Sequence, residues 1–66
     1  MLRYLREREG QVVARDALLR DVWGYEWTGG SNVVDVAVSG LRRRLGPSAG
    51  ALETVRGVGY RLQPFG

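Results

Sequence analysis

Residues 31–46 read SNVVDVAVSGLRRRLG, and the spacing of their apolar side chains decides the fold. At 100° per residue, Val34, Val38, Leu41 and Leu45 fall in one narrow stripe that must face a core. The opposite side presents Asn32, Val36, Ser39, Gly40 and Arg43, with Asp35 and Arg42 on one flank and Arg44 on the other. Ser31 or Asn32 is placed to cap the start, Asp35 to support it, and Gly46 with Pro47 to end it. This predicts the longest helix of the chain, buried on one side and lined on the other by small groups and arginines. Residues 47–50 read as a small polar turn.

Upstream, residues 24–31, GYEWTGGS, form a loop by glycine content. Before it, Leu18, Leu19, Val22 and Trp23 follow helical spacing from Arg15, with Asp16 in the first turn and Gly24 after the end. A second helix is predicted there, with Trp23 in the core. Its start is weakened because Ala14 offers no capping side chain. Residues 11–13 read as a very short extended piece. Leu2 and Leu5 make a helical stripe that stops at Gly10, which suits the left-handed C-terminal position. About two turns are too few to stand alone, so the chain is expected to begin inside a helix whose front is missing. For Tyr25 and Trp27 two placements stay open: folding back on the second helix, or awaiting a partner.

Downstream, residues 52–62, LETVRGVGYRL, carry β-branched and aromatic side chains around Gly57 and Gly59, a hairpin signal. A two-residue turn at Gly57 and Val58 is expected, of the type with glycine first, pairing Val55 with Tyr60 and Thr54 with Arg61. One face would then hold Val55, Tyr60 and Leu62. The other would hold Thr54, Arg56 and Arg61, a basic ribbon with Arg56 beside a glycine tip.

Composition excludes several functions. With 66 residues there is room for one domain, 1–66, and a small core. The chain has no cysteine and no histidine, which removes disulfides, thiolate nucleophiles, the usual zinc ligands and the commonest general base. Seven scattered carboxylates assemble no catalytic pair, so no enzyme, catalytic residue, metal or cofactor is expected. The longest apolar run is three residues, against roughly 18 for a membrane span. The charged first ten residues do not resemble a secretory signal, and a cytoplasmic location is expected. Ten arginines, no lysine and a net charge of +3 favour an anionic partner.

The order helix, short strand, helix, glycine-bearing loop, amphipathic helix, basic hairpin is that of a winged helix-turn-helix, an α+β fold. The chemistry expected of it is the reading of double-stranded DNA. A helix fits the major groove, its outward side chains reach base edges, and arginines at its end neutralise phosphates. Arg56 on a thin turn suits an adjacent narrow minor groove.

The blocks VVARDALLRDVWGYEW, SNVVDVAVSGLRRRLG and LETVRGVGYRL resemble, over nearly the whole chain, the effector domain of OmpR/PhoB-type response regulators. That resemblance implies a two-component transcription factor whose third helix is the recognition helix and whose hairpin is the wing. Asn32, Val36, Ser39, Gly40, Arg42, Arg43, Thr54, Arg56 and Arg61 would then face DNA. The loop with Tyr25, Glu26 and Trp27 would face RNA polymerase, and two copies would occupy direct-repeat sites. Three departures from the family pattern stand out. The four-stranded sheet that opens the domain is absent, Ala14 stands where serine is usual, and Gly40 stands where a larger polar side chain is common. A winged-helix module that binds protein is the rival reading, and the basic face of the hairpin is what argues against it.

Overall fold

The computed structural model describes residues 1–65. It contains α1 (Leu2–Glu7), β1 (Val12–Ala14), α2 (Arg15–Leu18), α3 (Asn32–Leu45), β2 (Leu52–Val55) and β3 (Gly59–Leu62). The three strands form one antiparallel sheet in the order β1-β3-β2. The helices pack on it around a core of Leu5, Val13, Leu18, Val34, Val38, Leu41, Leu52, Tyr60 and Leu62. Three members of the stripe read from the sequence, Val34, Val38 and Leu41, are buried, while Leu45 and Trp23 are half-buried against the same core.

The second helix departs from the expected single run. It is α-helical only to Leu18 and then widens into a π-helical turn over Leu19–Trp23, closed by the Gly24 N–H on the Leu19 carbonyl at 2.9 Å. Apolar spacing over so few residues does not separate the two helix types. Ala14 precedes α2 with no side-chain cap, as its chemistry requires. Ser31 occupies the cap position of α3, also without a side-chain bond. The expected polar turn after α3 is a longer 3₁₀ helix, Gly46–Ala51, with Pro47 in its first turn.

The short extended piece lies one residue later than expected and is a paired strand, with Val13 opposite Tyr60 and Ala14 opposite Gly59. The hairpin register is also corrected. Val55 pairs with Gly59 and Thr54 with Tyr60, so the turn holds three residues, Arg56, Gly57 and Val58. The Val58 N–H donates to the Val55 carbonyl at 3.0 Å, and Gly57, third of the four residues 55–58 that this bond closes, has φ +78°, the left-handed value a type II turn demands.

The reason for the shift lies in Gly59. A Cβ there would overlap the Val13 carbonyl oxygen and stand 2.9 Å from the Ala14 Cα. This glycine serves the close approach of β1, not the turn. A one-residue change of register moves every side chain to the other face. Leu52, Thr54, Tyr60 and Leu62 therefore share one face, and Glu53, Val55 and Arg61 the other.

Candidate nucleic-acid interface

The outward side of α3 is as open as its sequence implies. Asn32, Val36, Ser39 and Arg43 are exposed, Val36 at 68%. Gly40 is half-buried, and a Cβ built on it meets nothing within 4 Å. These residues form a shallow face on which no side chain bulkier than Val36 and Asn32 stands before the arginines begin.

Arg42 is drawn inward from that face. Its Nε and Nη2 donate to the Leu52 carbonyl at 3.1 and 2.9 Å, and Nη2 also donates to Thr54 Oγ1 at 2.8 Å. The guanidinium thus ties the C-terminal half of α3 to β2. Arg43 and Arg44 are exposed at the last turn of α3, where positive charge also complements the helix dipole.

On the hairpin, Arg56 is exposed in the turn. Arg61 is not brought together with it, because the corrected register places Arg61 opposite Glu53, to which it is ion-paired at 3.1 Å. That guanidinium, with Gln63 second, holds the Glu53 carboxyl below the usual carboxylate range. The basic ribbon of three expected from the sequence is therefore split.

Charge is segregated over the surface. Among the described residues, five arginines, namely Arg6, Arg8, Arg15, Arg20 and Arg61, are ion-paired with carboxylates. Arg3, Arg42, Arg43, Arg44 and Arg56 are not, and four of these lie on α3 or the wing turn. Among the described residues the carboxylates left without an ion pair are Asp16 and Glu26, on α2 and the following loop. The net charge of +3 is thus displayed mainly beside the open face of α3.

Sequence reasoning missed one cluster. Arg15 donates through Nη2 to Asp35 Oδ2 at 2.7 Å, and Asp35 Oδ1 accepts the Tyr60 hydroxyl proton. Burial first, and this hydrogen bond second, push the Tyr60 hydroxyl above its ordinary value. The three residues come from α2, α3 and β3. No local spacing announces such a contact, since the partners are 20 and 25 positions apart.

In the loop, the Trp27 indole N–H donates to the Gly30 carbonyl at 2.8 Å, and the ring covers Gly29 so closely that a Cβ there would overlap it. Trp27 folds onto its own loop, leaving Tyr25 86% exposed. Between loop and α2 lies an open cavity of about 570 Å³ lined by Asp16, Leu19, Arg20, Tyr25 and Trp27 among others. Among the described residues no group of three or more carboxylates is arranged to hold a metal ion, and no helix is long and apolar enough to cross a membrane.

Comparison with known proteins agrees with this geometry. Residues 1–62 match the family model described as "Transcriptional regulatory protein, C terminal". The chain is 50% identical over 54 residues to the transcriptional regulatory protein CseB of Streptomyces coelicolor, covering 82% of this chain and 22% of that one. It is 38% identical over 66 residues to the alkaline phosphatase synthesis transcriptional regulatory protein PhoP of Bacillus subtilis, covering 96% of this chain and 28% of the relative. It thus spans roughly a quarter of the length of these relatives. Among solved structures, it is similar to the DNA-binding domain of Bacillus subtilis CssR, with a TM-score of 0.79 and 34% identity over 94% of this chain and 68% of that one.

Proposed function

This chain belongs to the family of transcriptional regulatory protein C-terminal domains, and from that premise we propose that it binds duplex DNA sequence-specifically as the output domain of a two-component response regulator. In this reading α3 enters the major groove. Asn32, Val36, Ser39 and Gly40 approach base edges, and Val36 is apolar and exposed enough to meet a thymine methyl. Arg43 and Arg44 neutralise phosphates, and Arg56 enters the adjacent minor groove, where a narrow A·T-rich stretch concentrates negative potential. Thr54 and Arg42 contribute at the seam between helix and wing. Arg61 is assigned to phosphate contact only if its pairing with Glu53 opens.

The observation that carries this reading is the coincidence of two features: an open helix face of small side chains, and arginines without carboxylate partners on its last turn and on the wing. A core or a solvated helix end requires neither. The same reading places two copies on direct-repeat half-sites about one helical turn apart, a contact between the loop with Tyr25, Glu26 and Trp27 and RNA polymerase, no cofactor and no catalysis, all in the cytoplasm. The exposed Tyr25 beside an open cavity supports a protein partner at that loop.

Titration with A·T-rich duplex at two salt concentrations tests it. The logarithm of the affinity should fall by about 0.9 per phosphate contact for each unit of log salt. Binding that stays flat with salt contradicts DNA recognition and favours the protein-binding module.

A further inference from the structure

We propose that Arg15, Asp35 and Tyr60 are positioning residues that set the wing turn against α3, so that the reach of Arg56 depends on side chains outside the set assigned to DNA contact. The proposal rests on the DNA-binding reading above. Arg15 holds both parts at once. Its backbone N–H donates to the Val58 carbonyl of the wing turn at 3.2 Å, while its guanidinium donates to Asp35 on α3 at 2.7 Å. Asp35 in turn accepts the hydroxyl proton of Tyr60, two residues beyond Val58 in the chain. Contacts and backbone close a ring: Arg15, Val58, Tyr60, Asp35 and back to Arg15.

Beneath the wing turn lies a cavity of about 190 Å³, lined by Arg15, Thr54, Arg56, Val58 and Tyr60 among others. Arg15 Nε is buried with no partner among the described residues, so the guanidinium is held through its Nη2 bonds to Asp35 and, at 3.4 Å, to the Ser31 carbonyl. Arg56, Gly57 and Val58 are all exposed. The turn therefore has room to tilt into the space below it, and the Arg15–Asp35–Tyr60 contacts oppose that tilt. A contact made by one side chain at a tip is sensitive to displacements of about 1 Å, so loosening the ring should act on Arg56 before it acts on α3.

Positioning and mere stabilisation give different signatures. Loss of stability alone weakens binding to every site by the same factor, whereas loss of positioning removes what the wing reads. Tyr60→Phe deletes the hydroxyl and keeps the buried ring. It is compared with the parent, Arg56→Ala and the double variant on duplexes sharing one centre but flanked by A·T or G·C pairs, well below each melting temperature. The expected result is that the A·T to G·C affinity ratio falls by about threefold or more in Tyr60→Phe, and that adding this change to Arg56→Ala lowers the ratio no further. Asp35→Asn, which keeps the shape and removes the charge facing Arg15, should reproduce the loss if Tyr60→Phe does not fold. A parent-like ratio in a folded Tyr60→Phe or Asp35→Asn overturns the proposal, as does an additive double variant. A parent with salt-dependent binding but no flank preference overturns it through its premise, and that outcome is distinguishable because the variants are then not at issue.

Discussion

Gly59 lies so close beneath Val13 that any side chain on it would overlap the Val13 carbonyl oxygen. The contact joins β1 to the central strand β3, and with it the base of the wing to the start of α2. Gly59→Ala must therefore push β1 off the sheet or distort it. Such overpacking costs at least about 2 kcal/mol, a large share of what a chain of this size has. Urea denaturation followed by circular dichroism should show a markedly lower midpoint, or no cooperative transition. Gly57→Ala, strained by a positive φ but with nothing within 4 Å of the added Cβ, should cost about 1 kcal/mol. Equal midpoints for the two variants would contradict the close-approach argument.

Neighbouring arginines on α3 should separate by role. Arg42 satisfies the Leu52 carbonyl and Thr54, so Arg42→Ala should destabilise the fold by about 1–2 kcal/mol. Arg43 makes no such bond and is exposed, so Arg43→Ala should leave stability within about 0.5 kcal/mol while lowering the salt slope of DNA binding by about 0.9. Thermal melts and salt titrations on both variants check the division. The reverse pattern would mean that Arg42 reaches the phosphate.

Acid should weaken the fold through identifiable carboxylates. The Arg20 guanidinium first, and the Tyr4 hydroxyl second, hold the Asp21 carboxyl down to about 2 from an ordinary 3.8. A lowered folded-state value means that the stabilisation is fully present above 3.8 and disappears as pH falls toward 2. Glu53, lowered by Arg61, acts in the same direction. The melting temperature should therefore drop through this window, less steeply in Asp21→Asn. Because Asp21 is exposed, high salt should shrink the difference. An unchanged acid slope in Asp21→Asn would remove Asp21 from the account.

Gly40 offers a gain-of-function test. A Cβ at that position meets nothing within 4 Å, so Gly40→Ala should stabilise α3 by up to about 1 kcal/mol. Gly40→Arg should fit equally well and add a side chain able to read guanine. A binding-site selection should then show sharper preference at one base pair. Uniform tightening on all sequences would instead mean that the added guanidinium meets phosphate.

These outcomes follow the line between what was legible in the sequence and what was not. The stripe of Val34, Val38 and Leu41 was readable because a helix of 14 residues repeats its period often enough to leave one solution. The open face opposite it followed from the same geometry. The hairpin register was not readable, because Gly59 serves a strand far away in the chain and so looked like part of the turn. Helical angle puts Arg42 on a flank of α3 and resemblance gives it to DNA, and only the packing of β2 against α3 shows the Leu52 carbonyl that holds it. The Arg15–Asp35–Tyr60 cluster lies in three elements and leaves no local pattern at all. Motif resemblance named the domain without reaching any of these three.

The central claim is that α3 and the wing together form one DNA-reading surface, and amide chemical shifts on addition of duplex test it residue by residue. The largest changes should fall on Asn32, Val36, Ser39, Gly40 and Arg43 and on residues 54–58, with the loop at Tyr25 and Trp27 little affected. Changes confined to residues 24–31, or absent from either α3 or the wing, would contradict the account.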